Sequence, residues 1–311
     1  MANRVYISIF RFLTPRELLE KAALISKLFK ASADSDELWA ELVDETFGPA
    51  ERVSASVSWQ QEFRWRLRAR SVVRVKAGAV ELTRVPSLRT QLYEVAGLVP
   101  GGEVCWLWTG QLALVGGQVN AVPQTTAIFI AVNSGKYVTG PSMIWGRCYH
   151  ALVACYPFVY AFGGFNSHIL TSCEKLNLHA DCWSALPDMS QPRRSFTPAV
   201  LRTHIYLVGG ANMQIERFST ERDNFEVLKL ALEKPYTSVL GLAYHDRLLF
   251  FNFKKVTEIL LTPEGLKVER QKEVALKDWR GAAVVHENLA YLALTTPPEL
   301  FVVNLDELQQ S

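Results

Sequence analysis

The sequence predicts a mainly β protein: a β-propeller of five or six repeated four-stranded sheets, preceded by a small all-α module. Three observations carry this expectation. The segments VYAFGG (residues 159–164) and IYLVGG (residues 205–210) are copies of one motif, 46 residues apart. Each is an apolar run of strand formers ended by a glycine pair, where the backbone must turn or pack closely. Between them lie further strand-like runs, EKLNL and residues 182–185, then turn-rich LPDM and QPRR, then a fresh strand in FTPAVL. Four short antiparallel strands in a repeat of roughly 40 to 50 residues is the requirement of a propeller blade.

The same strand recurs as LALVGG (residues 112–117), LLFFNF (248–253) and LAYLAL (289–294), giving start-to-start intervals of 47, 46, 43 and 41 residues. The last two copies lack the glycines but keep the apolar strand. Five blades are legible in this way. The alternating segments VVRV, AVELTRV and QLYEV, between residues 72 and 95, are available to complete the last blade beside ELFVVNL (299–305), or to build most of a sixth. Six is favoured, because three spare strands exceed what one closure needs. The domain expectation is therefore 1–50 for the helical module, 51–70 for a linker helix and 71–311 for the propeller.

With 311 residues, 49% hydrophobic and 21% charged, the chain has room for a large core. A net charge of +2 argues neither for nor against nucleic acid. The five cysteines are odd in number and form no C-x-x-C pair. Most fall in or beside predicted strands, where a free thiol behaves as a small apolar group. The apolar start VYISIF is too short to span a bilayer. The expected location is cytoplasmic or nuclear, with no membrane partner.

In the N-terminal segment Thr14, Pro15 and Glu17 form a capping-box-like helix start. Leu18, Leu19, Ala22, Ala23 and Ile25 continue at helical spacing, Leu28 and Phe29 follow, and Ser35 caps a helix carrying Leu38, Trp39, Leu42 and Phe47. Such a bundle is too small to be very stable alone. Its apolar stripe can pack on the propeller or meet a partner. The basic run RWRLRARSVVRVK (64–76) spreads its arginines around a helix axis, which favours a solvated linker over a nucleic-acid patch.

The repeats resemble the kelch family through Phe162, Gly163, Gly164, Trp183, Leu186, Pro187, Met189 and Arg194. Residues 9–39 resemble an F-box, with landmarks at Phe12, Leu13, Pro15, Glu17, Leu18, Ala22, Ile25, Phe29, Leu38 and Trp39; the usual Leu-Pro opening is absent. Together the two resemblances imply a substrate-recognition subunit of a cullin-RING ubiquitin ligase of the SCF type. The module would bind a Skp-type adaptor and its cullin complex, through residues among Leu13, Pro15, Leu18, Ile25, Leu28, Leu38 and Trp39. The propeller would hold an unidentified protein target. The alternative is a kelch scaffold or cytoskeletal binder without a ligase role.

Arginines precede the first strand of three blades, at Arg147, Arg194 and Arg280, and Trp145 and Trp279 stand close to two of them. These five are the candidates for a target-binding face, because Arg and aromatic side chains dominate interface energetics. Structural capping of the blades is an equally good account of the arginines.

No catalytic or cofactor motif emerges. His286-Glu287 lacks the second histidine of H-E-x-x-H, Gly135-Lys136 lacks the first glycine and the Ser/Thr of a P-loop, and G-x-S-x-G is absent. Cys173, His179 and Cys182 match no structural zinc spacing. The expectation is a non-enzymatic protein with no cofactor and no metal. A propeller enzyme is the third and weakest reading.

Overall fold

The computed structural model describes residues 71–305, less the connections at 77–78, 85–88, 95–101, 108–110, 132–133, 135, 211, 237–238, 245–246, 252–254, 263–264, 274–280, 287–288 and 295–299. The expected helical module (1–50) and linker helix (51–70) lie outside these residues, as do Trp279 and Arg280.

The described part is mainly β and holds no helix. Ser71–Lys76 (β1), Ala79–Arg84 (β2) and Arg89–Glu94 (β3) form a three-stranded antiparallel sheet. A four-stranded sheet follows: Glu103–Trp106 (β4), Gln111–Val115 (β5), then the short hairpin Gln118–Val119 (β6) and Val122–Pro123 (β7), then Ala127–Ala131 (β8) and Tyr137–Thr139 (β9). The next has the same plan. Its strands are Ala151–Cys155 (β10) and Phe158–Phe162 (β11), the hairpin Phe165–Asn166 (β12) and His168–Ile169 (β13), then Cys173–Asn177 (β14) and Cys182–Leu186 (β15).

Two more four-stranded sheets succeed it. One comprises Ala199–Leu201 (β16), His204–Leu207 (β17), Asn212–Ser219 (β18) and Asn224–Tyr236 (β19). The other comprises Leu240–Tyr244 (β20), Arg247–Phe251 (β21), Lys255–Thr262 (β22) and Gly265–Glu273 (β23). A three-stranded sheet closes the series: Gly281–His286 (β24), Leu289–Leu294 (β25) and Leu300–Asn304 (β26). All pairing is antiparallel between strands adjacent in each sheet. The four four-stranded sheets stand as propeller-like blades. The strands between residues 71 and 94 form a sheet of their own and do not pair with β26.

First strands of neighbouring sheets lie against each other: β4 on β10, β16 on β20, β20 on β24, β24 on β1, and β1 on β4. Between β10 and β16 the connection runs through the backbone, where Ser195 N donates to Tyr149 O at 2.7 Å.

Past its first residue, the second strand of each four-stranded blade is apolar because both of its faces are covered. In β11, Val159 and Ala161 face the preceding blade, with Ala113, Val115, Leu152, Leu176 and Trp183. Tyr160 and Phe162 face the following blade, with Cys173, Phe196, Ile205, Leu207 and Phe218. One blade on, Tyr206 and Val208 point the other way and meet Leu248, Phe250 and Ile259. β11 and β17 thus each contribute to two inter-sheet cores. The degenerate strand β21 serves the same purpose: Leu248 and Phe250 look back, while Leu249 and Phe251 meet Ala290 and Leu305.

Candidate interaction face

The glycine pair that ends each of β5 and β11 receives the chain entering the next blade. Gly117 N donates to Arg147 O at 3.0 Å, and Gly164 N donates to Arg193 O at 2.8 Å. Gly163 has φ +59°, and a Cβ placed there would stand 2.4 Å from Arg193 O. Neither the conformation nor the space admits a side chain.

The arginine whose carbonyl sits on one glycine pair sends its guanidinium to the next. Arg147 Nη1 donates to Gly163 O (2.6 Å) and Ser172 O (2.8 Å), and Nη2 donates to Glu174 Oε1 (2.7 Å). Arg193 repeats the arrangement: Nη1 to Gly209 O (2.7 Å), Nη2 to Gln214 O (2.6 Å) and Nε to Glu216 Oε2 (3.0 Å). All four charged side chains are wholly buried. Burial lowers the Arg193 pKa from its ordinary value, against the pull of Glu216. The carboxylates also accept from the loop ahead of each arginine: Glu174 Oε2 from Ile144 N and Glu216 Oε1 from Ser190 N, both at 2.7 Å. One charged pair therefore ties a glycine pair, a strand and a loop together.

This places the sequence candidates unequally. Arg147 has no solvent-facing surface and is committed to the blade junction, the capping role that its sequence position also allowed. It offers nothing to a target. Arg194 is exposed, and its guanidinium lies over the Phe165 ring, 5.4 Å from the centroid. Trp145 is 43% exposed, beside Ile144 at 46%. The adaptor-binding candidates Leu13, Pro15, Leu18, Ile25, Leu28, Leu38 and Trp39 lie outside the described residues, as do Trp279 and Arg280.

Trp145 and Arg194 belong to one connected surface. The Gly146 backbone next to Trp145 packs so closely on the β6–β7 hairpin that a Cβ there would lie 2.5 Å from Pro123 O. That hairpin exposes Val119 and Val122. Gly146 O accepts from Asn166 Nδ2 at 2.8 Å, on the β12–β13 hairpin that carries Phe165 under Arg194. Gln118 Nε2 donates to Tyr149 Oη at 3.1 Å, binding the first hairpin to the segment after Arg147. Loops of three successive blades thus present four apolar side chains and one cation. Nearby, Glu103 is half-buried, and burial raises its pKa to about 8. Burial also pushes up the Cys148 thiol, which Arg194 opposes.

Sequence reasoning missed Arg193, Glu174 and Glu216. A signal for them exists. Arg193 follows Arg147 by the 46 residues that separate the glycine pairs, and each glutamate sits in an apolar-Glu-basic-apolar run, Cys173 to Leu176 and Ile215 to Phe218.

The structure does not bring Cys173, His179 and Cys182 together as ligands. Cys173 is buried opposite Leu186, whereas Cys182 is exposed opposite Asn177, at the other end of the β14–β15 ladder. Among the described residues no group of three or more His, Cys, Asp or Glu side chains is placed to hold a metal. No helix among them is long and apolar enough to cross a membrane.

Residues 146–190 match the Kelch motif. The chain is 26% identical over 145 residues to the Kelch repeat and BTB domain-containing protein 2 of cowpox virus (strain Brighton Red), covering 45% of this chain and 26% of that protein. The protein of the same name from ectromelia virus (strain Moscow) is 32% identical over 85 residues, 27% of this chain and 15% of the relative. The chain spans about a quarter of the length of the first of these relatives. The motif, the repeat geometry and these likenesses support a kelch-repeat protein.

Proposed function

We propose that the chain is the substrate-recognition subunit of a cullin-RING ubiquitin ligase. In this reading residues 1–50 engage a Skp-type adaptor, and the propeller holds a protein target on the face built around Trp145 and Arg194. The observation that supports target binding is the convergence of Val119, Val122, Ile144, Trp145 and Arg194 from three successive blades. Exposed aromatic and apolar anchors beside an accessible guanidinium are the groups that dominate protein interfaces. The viral relatives are named for kelch repeats joined to a second domain, the BTB domain, which agrees with a two-part receptor.

In this reading the six larger sheets form one closed ring, a proposal supported by the contacts of β1 with β24 and β4. The chain contributes proximity and no bond-making chemistry, so it is not an enzyme in this account. It works in the cytoplasm or nucleus.

Co-precipitation of a Skp-type adaptor and its cullin with the full chain tests the ligase half. The wild type should capture both, and Leu13→Asp with Leu18→Asp should abolish capture while the propeller stays folded. A well-folded wild type that captures neither favours the second reading, a kelch-repeat scaffold that binds its target through the same face.

A further inference from the structure

His150 sits where two glycine-ended blades meet, three residues after Arg147. It is fully buried, and neither ring nitrogen has a hydrogen-bond partner among the described residues. Its Cε1 lies 2.8 Å from the point where a Cβ on Gly116 would stand, and its Cβ lies 2.8 Å from the same point on Gly164. The imidazole is therefore wedged between the glycine ends of the β4–β9 and β10–β15 sheets. Buried polar groups in folded proteins are almost always paired, so an orphaned imidazole calls for a reason.

Shape alone does not supply one. The 46-residue offset that relates Arg147 to Arg193 relates His150 to Phe196. Phe196 is buried at 5% exposure within an apolar cluster. A plain aromatic ring thus fills the sister junction.

Among the described residues the charges around the ring are few. Arg147, on the same segment, is the cation that acts on it. Glu174, on β14, is occupied by the Arg147 guanidinium and Ile144 N. The ends of β5 and β11 that touch the ring offer Gly116 and Gly164, with Met143 also against Gly116. Glu103, on β4, and Arg194 act on the adjacent Cys148 thiol.

We propose that His150 is a proton-sensitive latch: a proton on its ring places a second cation beside Arg147 in a buried junction where no described residue accepts from it, and the two glycine-ended blades part there as the medium acidifies. Burial, with Arg147 adding to it, holds the His150 pKa well below the ordinary 6.5. The unfolded chain takes up a proton near that value and the folded chain does not. The stability contributed by the neutral ring is complete above pH 6.5 and is lost progressively below it, by up to about tenfold in the folding equilibrium per pH unit. This device does not depend on the receptor reading.

The test compares urea unfolding of the full chain at pH 7.5 and pH 5.5, for wild type and His150→Phe. The wild type should lose up to about tenfold more in its folding equilibrium than the variant on acidification. Amide protection factors in residues 147–164, corrected for the slower intrinsic exchange in acid, should fall at pH 5.5 in the wild type alone. Equal losses in both proteins would overturn the proposal. If His150→Phe does not fold, the ring resonances of wild-type protein labelled at histidine decide. A His150 ring that stays neutral while residues 147–164 keep their amide protection, and gains its proton together with the loss of that protection on acidification, supports the latch. One that titrates near pH 6.5 in the folded state sinks it.

Discussion

The Arg147 guanidinium and the Glu174 carboxylate, 27 residues apart in sequence, meet at 2.7 Å with both side chains at 0% exposure. The same contact recurs one blade later between Arg193 and Glu216. It does not recur throughout. In backbone register Glu174 lies opposite Ala161 and Glu216 opposite Leu207, whereas the matching positions of the other two blades hold Ile128, opposite Leu114, and Thr257, opposite Phe250. Among the described four-stranded blades the charged staple marks two.

A double-mutant cycle on Arg147 and Glu174 should show strong coupling. Arg147→Met leaves a buried carboxylate and two carbonyls without their donor, a loss on the order of 3–5 kcal/mol. Arg147→Met with Glu174→Leu should cost much less than the sum of the two single changes. Urea unfolding reads both quantities. An Arg147 variant of unchanged stability would show that the buried pair contributes little to the junction.

Gly163→Ala should destabilise by more than an ordinary glycine substitution. The left-handed φ of +59° costs roughly 1 kcal/mol for alanine, and the contact 2.4 Å from Arg193 O forces backbone movement beyond that. The urea midpoint measures it. Gly140→Ala is the control: its Cβ would meet the side chain of Phe129, which can move, so its loss should be smaller.

The repeat was legible because it rests on backbone demands that a sequence writes plainly. A strand covered on both faces must be apolar throughout, as in VYAF and IYLV, and a left-handed turn against a neighbouring carbonyl demands glycine. Phe250 and Phe251 kept β21 recognisable even where the glycines are gone. The fate of each arginine was not legible. Arg193 and Arg194 are adjacent and chemically identical, yet one is wholly buried and the other exposed. What separates them is Glu216, 23 residues downstream, a distance that local pattern does not span. The β6–β7 and β12–β13 hairpins, two residues a strand, are too short to show a period.

Thiol reactivity should follow burial. Cys155 and Cys173 are pushed up to about 12 by burial, which leaves almost no thiolate near neutral pH. Cys182 is exposed. Brief alkylation of the folded chain at pH 8 should label Cys182 well before Cys155 and Cys173, which become reactive only on unfolding. Peptide mass spectrometry reads the order. Early labelling of Cys173 would contradict the close packing of the junction between the β10–β15 and β16–β19 sheets.

The central claim is that one propeller face, built around Trp145 and Arg194, holds a protein target while the N-terminal module holds the adaptor. Its most direct measurement is quantitative mass spectrometry of proteins recovered with the full chain from cells, comparing wild type with Trp145→Ala plus Arg194→Glu. The account predicts an unchanged yield of adaptor and cullin, with selective loss of at least one other protein. An identical set of recovered proteins from a folded double variant would contradict it.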